Sequence, residues 1–268
     1  MMNPKLAVNC SILMQDVPLR ERLAIVAEHG FRAVELWWPF ADAAPSTGEV
    51  DRFASVIEES GLHLVALNLF AGDMPAGDRG IISWPGREDE LEASLDVLVS
   101  LGHRLGVRMF NALYGNRLAG VAADEQDAVA VRRLARAARR LEECGGTVLL
   151  EPVSGFEGYP VKTAEDAVRI LDRVAEEEGV SSLALLLDVY HLAVNGDDVD
   201  RAIDRFADRI GHVQLADAPG RGAPGTGNLP IWEWLGRVRE SGYTGWVSWE
   251  YAATGPTALD AIAAGDRV

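Results

Sequence analysis

Thr147-Val-Leu-Leu-Glu151, Leu183-Ala-Leu-Leu-Leu-Asp188, Ile210-Gly-His-Val-Gln214 and Trp246-Val-Ser-Trp-Glu250 are short apolar runs that each close on a side chain offering an oxygen. They recur at the spacing of βα units, as parallel strands do when their carboxyl ends converge on one site. Outward from these four, one punctuation repeats: a charged amphipathic stretch, a glycine, then an apolar run. It occurs at Gly30, Gly61, Gly106, Gly145, Gly179 and Gly242. A glycine just past a helix adopts the left-handed conformation that stops the helix and turns the chain into the next strand. Eight strands are predicted in this way, at 6–10, 33–37, 62–68, 108–111, 147–151, 183–188, 210–214 and 245–250, with a helix after each. Eight units of about 33 residues suit a closed (β/α)8 TIM barrel. An open doubly wound sheet is the poorer fit, because no Gly-rich phosphate fingerprint follows the first strand. The predicted fold is therefore α/β, a single barrel domain spanning 1–268.

Two connections are long and rich in Gly and Pro, 70–86 after the third strand and 215–228 after the seventh. Loops that follow strands lie on the catalytic face of a barrel, so both are expected at its mouth, the first closing over it. The 25 Lys and Arg residues against 41 Asp and Glu give a formal charge of −16, a balance that repels a polyphosphate backbone. The one dense basic run, Arg132 to Arg140, has the spacing of a solvated face on an amphipathic helix. Neither a nucleic-acid partner nor a membrane is expected, and a homo-oligomer is compatible with the sequence. No apolar stretch is long enough to span a bilayer and no signal-peptide pattern opens the chain, which reads as cytoplasmic. Cys10 and Cys144 lack disulfide or zinc spacing, as in a reduced compartment.

Glu151, Asp188, Gln214 and Glu250 would present three carboxylates and an amide oxygen from four neighbouring strand ends. An all-oxygen set suits a hard divalent cation, Mg²⁺ or Mn²⁺, better than zinc. A cation between two glutamates facing a small substrate suggests proton abstraction beside a carbonyl. Glu151 and Glu250 are then the proton-transfer pair as well as ligands, and Asp188 and Gln214 are mainly ligands. His191, three residues past Asp188, is placed to donate to a substrate oxygen. His212 shares a face with Gln214 and is expected as a hydrogen-bonded core histidine. Arg221, among glycines, is the candidate carboxylate clamp. Asn68 ends the third strand and is a further substrate-binding candidate, while Trp37, Trp38, Phe70 and Trp84 are available to wall the site.

At these positions the chain resembles the hydroxypyruvate isomerase family of xylose-isomerase-like barrels. The resemblance runs through Val34–Phe40, Asn68–Asp73, Gly77–Gly80, Pro85–Glu88, Leu150–Pro152, Asp188–His191, Gly211–Asp217, Pro224–Gly227 and Trp249–Tyr251. It implies interconversion of hydroxypyruvate and tartronate semialdehyde through a cis-enediolate, with Glu151 and Glu250 as proton donor and acceptor. Gln214 stands where the related ketose 3-epimerases have His, which favours the acid-isomerase branch. The competing readings are a 2-oxotetronate isomerase or a ketose 3-epimerase on the same barrel. A metal-dependent apurinic endonuclease is a more distant one, disfavoured by five His residues mostly away from the strand ends and by the charge of −16.

Overall fold

The computed structural model describes residues 5–263. Its eight strands are β1 (Lys5–Asn9), β2 (Ala33–Leu36), β3 (His63–Asn68), β4 (Met109–Asn111), β5 (Thr147–Leu150), β6 (Leu183–Asp188), β7 (Ile210–Leu215) and β8 (Trp246–Trp249). All neighbouring pairs are parallel, and β8 returns to β1, so the sheet is a closed barrel in strict sequence order. Every predicted strand is present, with ends displaced by no more than two residues.

The helices are α1 (Leu19–Glu28), α2 (Thr47–Ser60), α3 (Glu88–Leu105), α4 (Ala123–Glu142), α5 (Ala164–Glu178), α6 (Val189–Val194), α7 (Val199–Phe206), α8 (Ile231–Glu240) and α9 (Asp260–Ala263). Local chemistry sets their ends. Ser46 with Glu49 and Thr163 with Asp166 form capping boxes that satisfy the first amides of α2 and α5. Gly61, Gly106 and Gly179 stop α2, α3 and α5 in the left-handed region, as the glycine punctuation anticipates. One large core lies between barrel and helices, and a small cluster of Ala7, Ala33, Val65 and Ala66 fills the barrel near the strand starts.

The basic run on α4 departs from the sequence expectation at one residue. Arg136, Arg139 and Arg140 lie on the outer face in ion pairs with Glu92, Glu178 and Asp96, as a solvated face would. Arg133 is buried instead. Its Nη1 donates to the carbonyls of Ile81 at 3.0 Å, Ile82 at 3.4 Å and Trp84, and its Nη2 pairs with Glu88. A charge out of water persists only when such bonds satisfy it, so Arg133 acts as a latch on the second half of the β3–α3 loop. Among the described residues no helix is long and apolar enough to cross a membrane.

Candidate active site

Strand register brings the predicted residues to one mouth. Asp188 pairs with Gln214 across β6 and β7, and Gln214 with Ser248 across β7 and β8, so alternation puts Gln214 and Glu250 on the inner face. Glu151 directly follows β5. All four are nearly inaccessible to solvent, between 1% and 5% exposed, so every oxygen needs a partner.

The hydrogen bonds divide the carboxylates. Glu250 accepts from Asn9 Nδ2 at 3.0 Å, Trp37 Nε1 at 2.8 Å and Arg221 Nη2 at 2.8 Å. Glu151 accepts from Asn111 Nδ2 at 2.7 Å. Asp188 caps α6 by accepting from the amides of Tyr190 and His191, and it meets Arg221 Nη2 at 3.2 Å. Burial pushes Glu151 up to about 8, with Asp188 adding to the rise. Burial likewise raises Asp188 to about 6 against the pull of Arg221. Glu250 is held well above the carboxylate range by burial and the surrounding carboxylates, although Arg221 opposes this. Protons held this firmly by buried acids mark a cluster short of positive charge.

Whether a divalent cation fits can be tested on Gln214. Its Nε2 donates to Glu35 Oε1 at 2.8 Å, and a carboxylate accepts only from the amide nitrogen, so Oε1 is turned away from Glu35. That oxygen is buried and has no hydrogen-bond partner among the described residues. An orphaned buried acceptor costs about 1–3 kcal/mol. A cation shared with Glu151, Asp188 and Glu250 would satisfy it. A buried, unpartnered oxygen suits a hard divalent ion, and the nearby carboxylates of Glu151 and Asp188 belong to a group that could hold one.

Glu151, Asp188 and His191 also form a group with one potential ligand atom each, all within 4.8 Å of one another. The imidazole is nevertheless oriented as a donor. The Ser154 amide donates to His191 Nδ1 at 3.0 Å, which makes Nδ1 the acceptor. Burial, together with Arg221, Lys162 and Arg79, holds His191 well below its ordinary value and so neutral. Its proton is then on Nε2, 3.7 Å from both Glu151 and Asp188.

The mouth opens into a cavity of about 300 Å³ lined by Trp37, Asn68, Glu151, His191, Arg221 and Glu250, among others. A neighbouring cleft of about 880 Å³ shares Trp37, Met74 and Arg79 with it and is walled by Trp38, Phe40 and Phe70. The β3–α3 loop thus covers the catalytic face, as its position predicts. Trp84 does not wall either space; it is buried, with Nε1 bonded to the carbonyl of Asn116. A groove of about 510 Å³ by Arg169 and Arg205, between α5 and α7, is lined by none of these site residues.

Over residues 23–266 the chain matches the family described as xylose isomerase-like TIM barrel. It belongs to that family. Among xylose isomerase-like relatives, it is 46% identical to a putative hydroxypyruvate isomerase of Streptomyces coelicolor, over 91% of this chain and 89% of that one. It is 32% identical to the hydroxypyruvate isomerase of Escherichia coli, covering 92% of this chain and 93% of the other. A crystal structure described as an AP endonuclease, family 2, from Brucella melitensis superposes with a TM-score of 0.86 at 29% identity, covering 98% and 99% of the two chains.

Three residues of this xylose isomerase-like site escape the sequence reading. Glu35 on β2 accepts from Asn9 at 2.9 Å and Gln214 at 2.8 Å and meets His212 Nε2 at 2.5 Å. Burial alone would raise its pKa, but His212, Gln214 and Asn9 outweigh that and hold it below the usual range. Asn9 and Asn111 end β1 and β4 and donate to the two site glutamates. The available signal was alternation: Glu35 interrupts an apolar strand on the inward parity, and each asparagine is the last residue of its strand. His212 is the hydrogen-bonded core histidine expected, and Glu35 is its partner.

Proposed function

We propose that this isomerase interconverts hydroxypyruvate and tartronate semialdehyde, with Glu151 and Glu250 moving one proton between neighbouring carbons. One carboxylate removes a proton from C3 of hydroxypyruvate, leaving a cis-enediolate. The other delivers a proton to C2 as the C3 hydroxyl becomes the aldehyde and the former carbonyl oxygen becomes the hydroxyl, so no external oxidant is needed. Glu151, Asp188, Gln214 and Glu250 would hold a divalent cation, Mg²⁺ or Mn²⁺, which supplies positive charge where the enediolate oxygens become negative. His191 Nε2 and the Asn68 amide provide donors to substrate oxygens. Arg221 offsets charge on Asp188 and Glu250, and the β3–α3 loop keeps water away from the enediolate.

The observation that carries this reading is the orphaned Oε1 of Gln214 at the same barrel mouth as the buried carboxylates of Glu151, Asp188 and Glu250. It is supported by the kinship with proteins named hydroxypyruvate isomerase. An apurinic endonuclease reading is less well served, because the cluster contains a single His and is otherwise oxygen-only. The aromatic cleft beside the cavity favours one second reading, an acid one carbon longer such as 2-oxotetronate.

The test is hydroxypyruvate turnover in deuterated water with added Mg²⁺ or Mn²⁺. Deuterium is expected at C2 of the product. Absence of both isotope exchange and turnover at saturating cation would reject the reaction, and faster turnover of 2-oxotetronate would move the assignment to the longer acid.

A further inference from the structure

The two arginines at the mouth differ in what they have left to give. Arg221 is turned onto the site acids: Nε donates to the Glu250 carbonyl at 3.1 Å and Nη2 to Asp188 and Glu250, so its charge is already paired with two carboxylates. Arg79, on the β3–α3 loop where the cavity meets the aromatic cleft, uses only Nη1, which donates to the carbonyls of Met74 at 3.0 Å and Asp78. Among the described residues no carboxylate forms an ion pair with it. Its guanidinium lies 3.7 Å from the ring centroid of Phe156, which covers a face and leaves the Nε–Nη2 edge open.

Both halves of this arrangement are fixed from behind. The Phe156 carbonyl accepts from Lys162 Nζ and from the Tyr159 amide. Asp78 Oδ2 accepts from the Asp73 amide at 2.8 Å, and Asn116 Nδ2 donates to the Gly77 carbonyl at 2.9 Å. At Gly80 a Cβ would fall 1.9 Å from the Leu113 carbonyl oxygen, so the backbone beside Arg79 is packed directly onto the segment after β4. A half-buried cation with an open two-nitrogen edge, held flat and turned into a substrate cavity, is completed by a planar anion.

We propose that Arg79 is the carboxylate-recognising residue of this site, pairing through Nε and Nη2 with the carboxylate of a 2-oxo acid. The carbonyl and hydroxyl end of the acid then faces Glu151 and Glu250. The assignment rests on the 2-oxo acid reading above and moves the clamp from Arg221 to Arg79, which lines the same cavity.

The test compares wild type, Arg79→Gln and Arg79→Lys in the cation-loaded protein. It uses hydroxypyruvate turnover, and calorimetric binding of hydroxypyruvate and of dihydroxyacetone, which replaces the carboxylate by CH₂OH. Arg79→Gln should raise the hydroxypyruvate KM roughly 100-fold, as expected for loss of a bidentate charged pair, with a far smaller change in kcat. Arg79→Lys should recover part of that loss. Dihydroxyacetone affinity should change at least tenfold less than hydroxypyruvate affinity. An unchanged KM, or equal weakening of both compounds, overturns the role while leaving the reaction intact. Binding of hydroxypyruvate that depends on Arg79 but leads to no isomerisation overturns the reaction and keeps the role, and absence of hydroxypyruvate binding by wild type overturns both.

Discussion

Glu35 and Glu250 stand on either side of Asn9 Nδ2, which donates to both, and they are about equally buried, yet their surroundings push them in opposite directions. Glu35 faces His212 and two amide donors and is held below the usual carboxylate range, whereas Glu250 is held above it by burial and by Glu35, Glu151 and Asp188, although Arg221 opposes this. Burial is common to both, so the neighbours decide. The difference separates two jobs. An acid whose protein partners already balance it is a fixed brace, here orienting Gln214. An acid left unbalanced is poised for a cation and for proton exchange.

The largest expected effect comes from breaking the unbalanced side. Glu250→Gln keeps an oxygen but removes the base, so turnover should fall by at least about 10²-fold while cation binding persists, measured by single-turnover kinetics beside calorimetry. If the two glutamates act in one relay, the Glu151→Gln, Glu250→Gln double variant should be little worse than either single. Near-native isotope exchange in Glu250→Gln would reduce that residue to a ligand.

Glu35→Ala breaks the brace instead. It removes the oxygen that accepts from the Gln214 amide, so cation affinity should weaken by roughly 10–100-fold, and saturating cation should restore most of kcat. A kcat deficit that no cation concentration repairs would place Glu35 among the proton-transfer groups.

A smaller effect tests the electrostatics without mutation. Glu151 and Asp188 have folded-state values above their ordinary ones, so the folded protein binds protons more tightly than the unfolded chain. Their contribution to the stability of cation-free protein is therefore complete below the ordinary carboxylate range and is lost as pH rises through about 6 and then about 8. Chelated protein should lose several degrees of Tm across that window, on the order of what one or two kcal/mol shifts a domain of this size. Added Mg²⁺ should raise Tm more at the alkaline end than at the acid end, and a Tm gain independent of pH would count against these carboxylates as ligands.

The barrel was legible because its punctuation is repeated, a glycine before the strand and a polar residue after it, and each repeat corrects the reading of the others. Glu151, Asp188, Gln214 and Glu250 were visible for the same reason: an apolar run that ends on an acid or amide breaks its own pattern. Glu35 was not, since in Ala33-Val-Glu-Leu36 it lies inside the run and its partners, Asn9, His212 and Gln214, come from strands far away in the chain. Arg133 was misjudged because helical spacing sorts residues by face, and this arginine's face is covered by a loop from another βα unit. Arg221 was placed at the mouth, but only geometry reveals that its charge is already paired with Asp188 and Glu250.

That covering loop joins two very different attachments. From Ile81 to Trp84 its carbonyls are tied to Arg133 on the barrel's outer layer, whereas residues 72–78 are held chiefly by bonds within their own turn and by Asn116. Such a segment has unequal opening free energies along its length. Tied to α4 through Arg133, the anchored half should exchange its amide protons with solvent only when that packing opens. Residues 72–78 can open more readily than that half, whereas Arg79 is held beside Gly80 against the segment after β4, so solute passage at the mouth requires only a subglobal fluctuation of a few residues while the rest of the barrel remains folded.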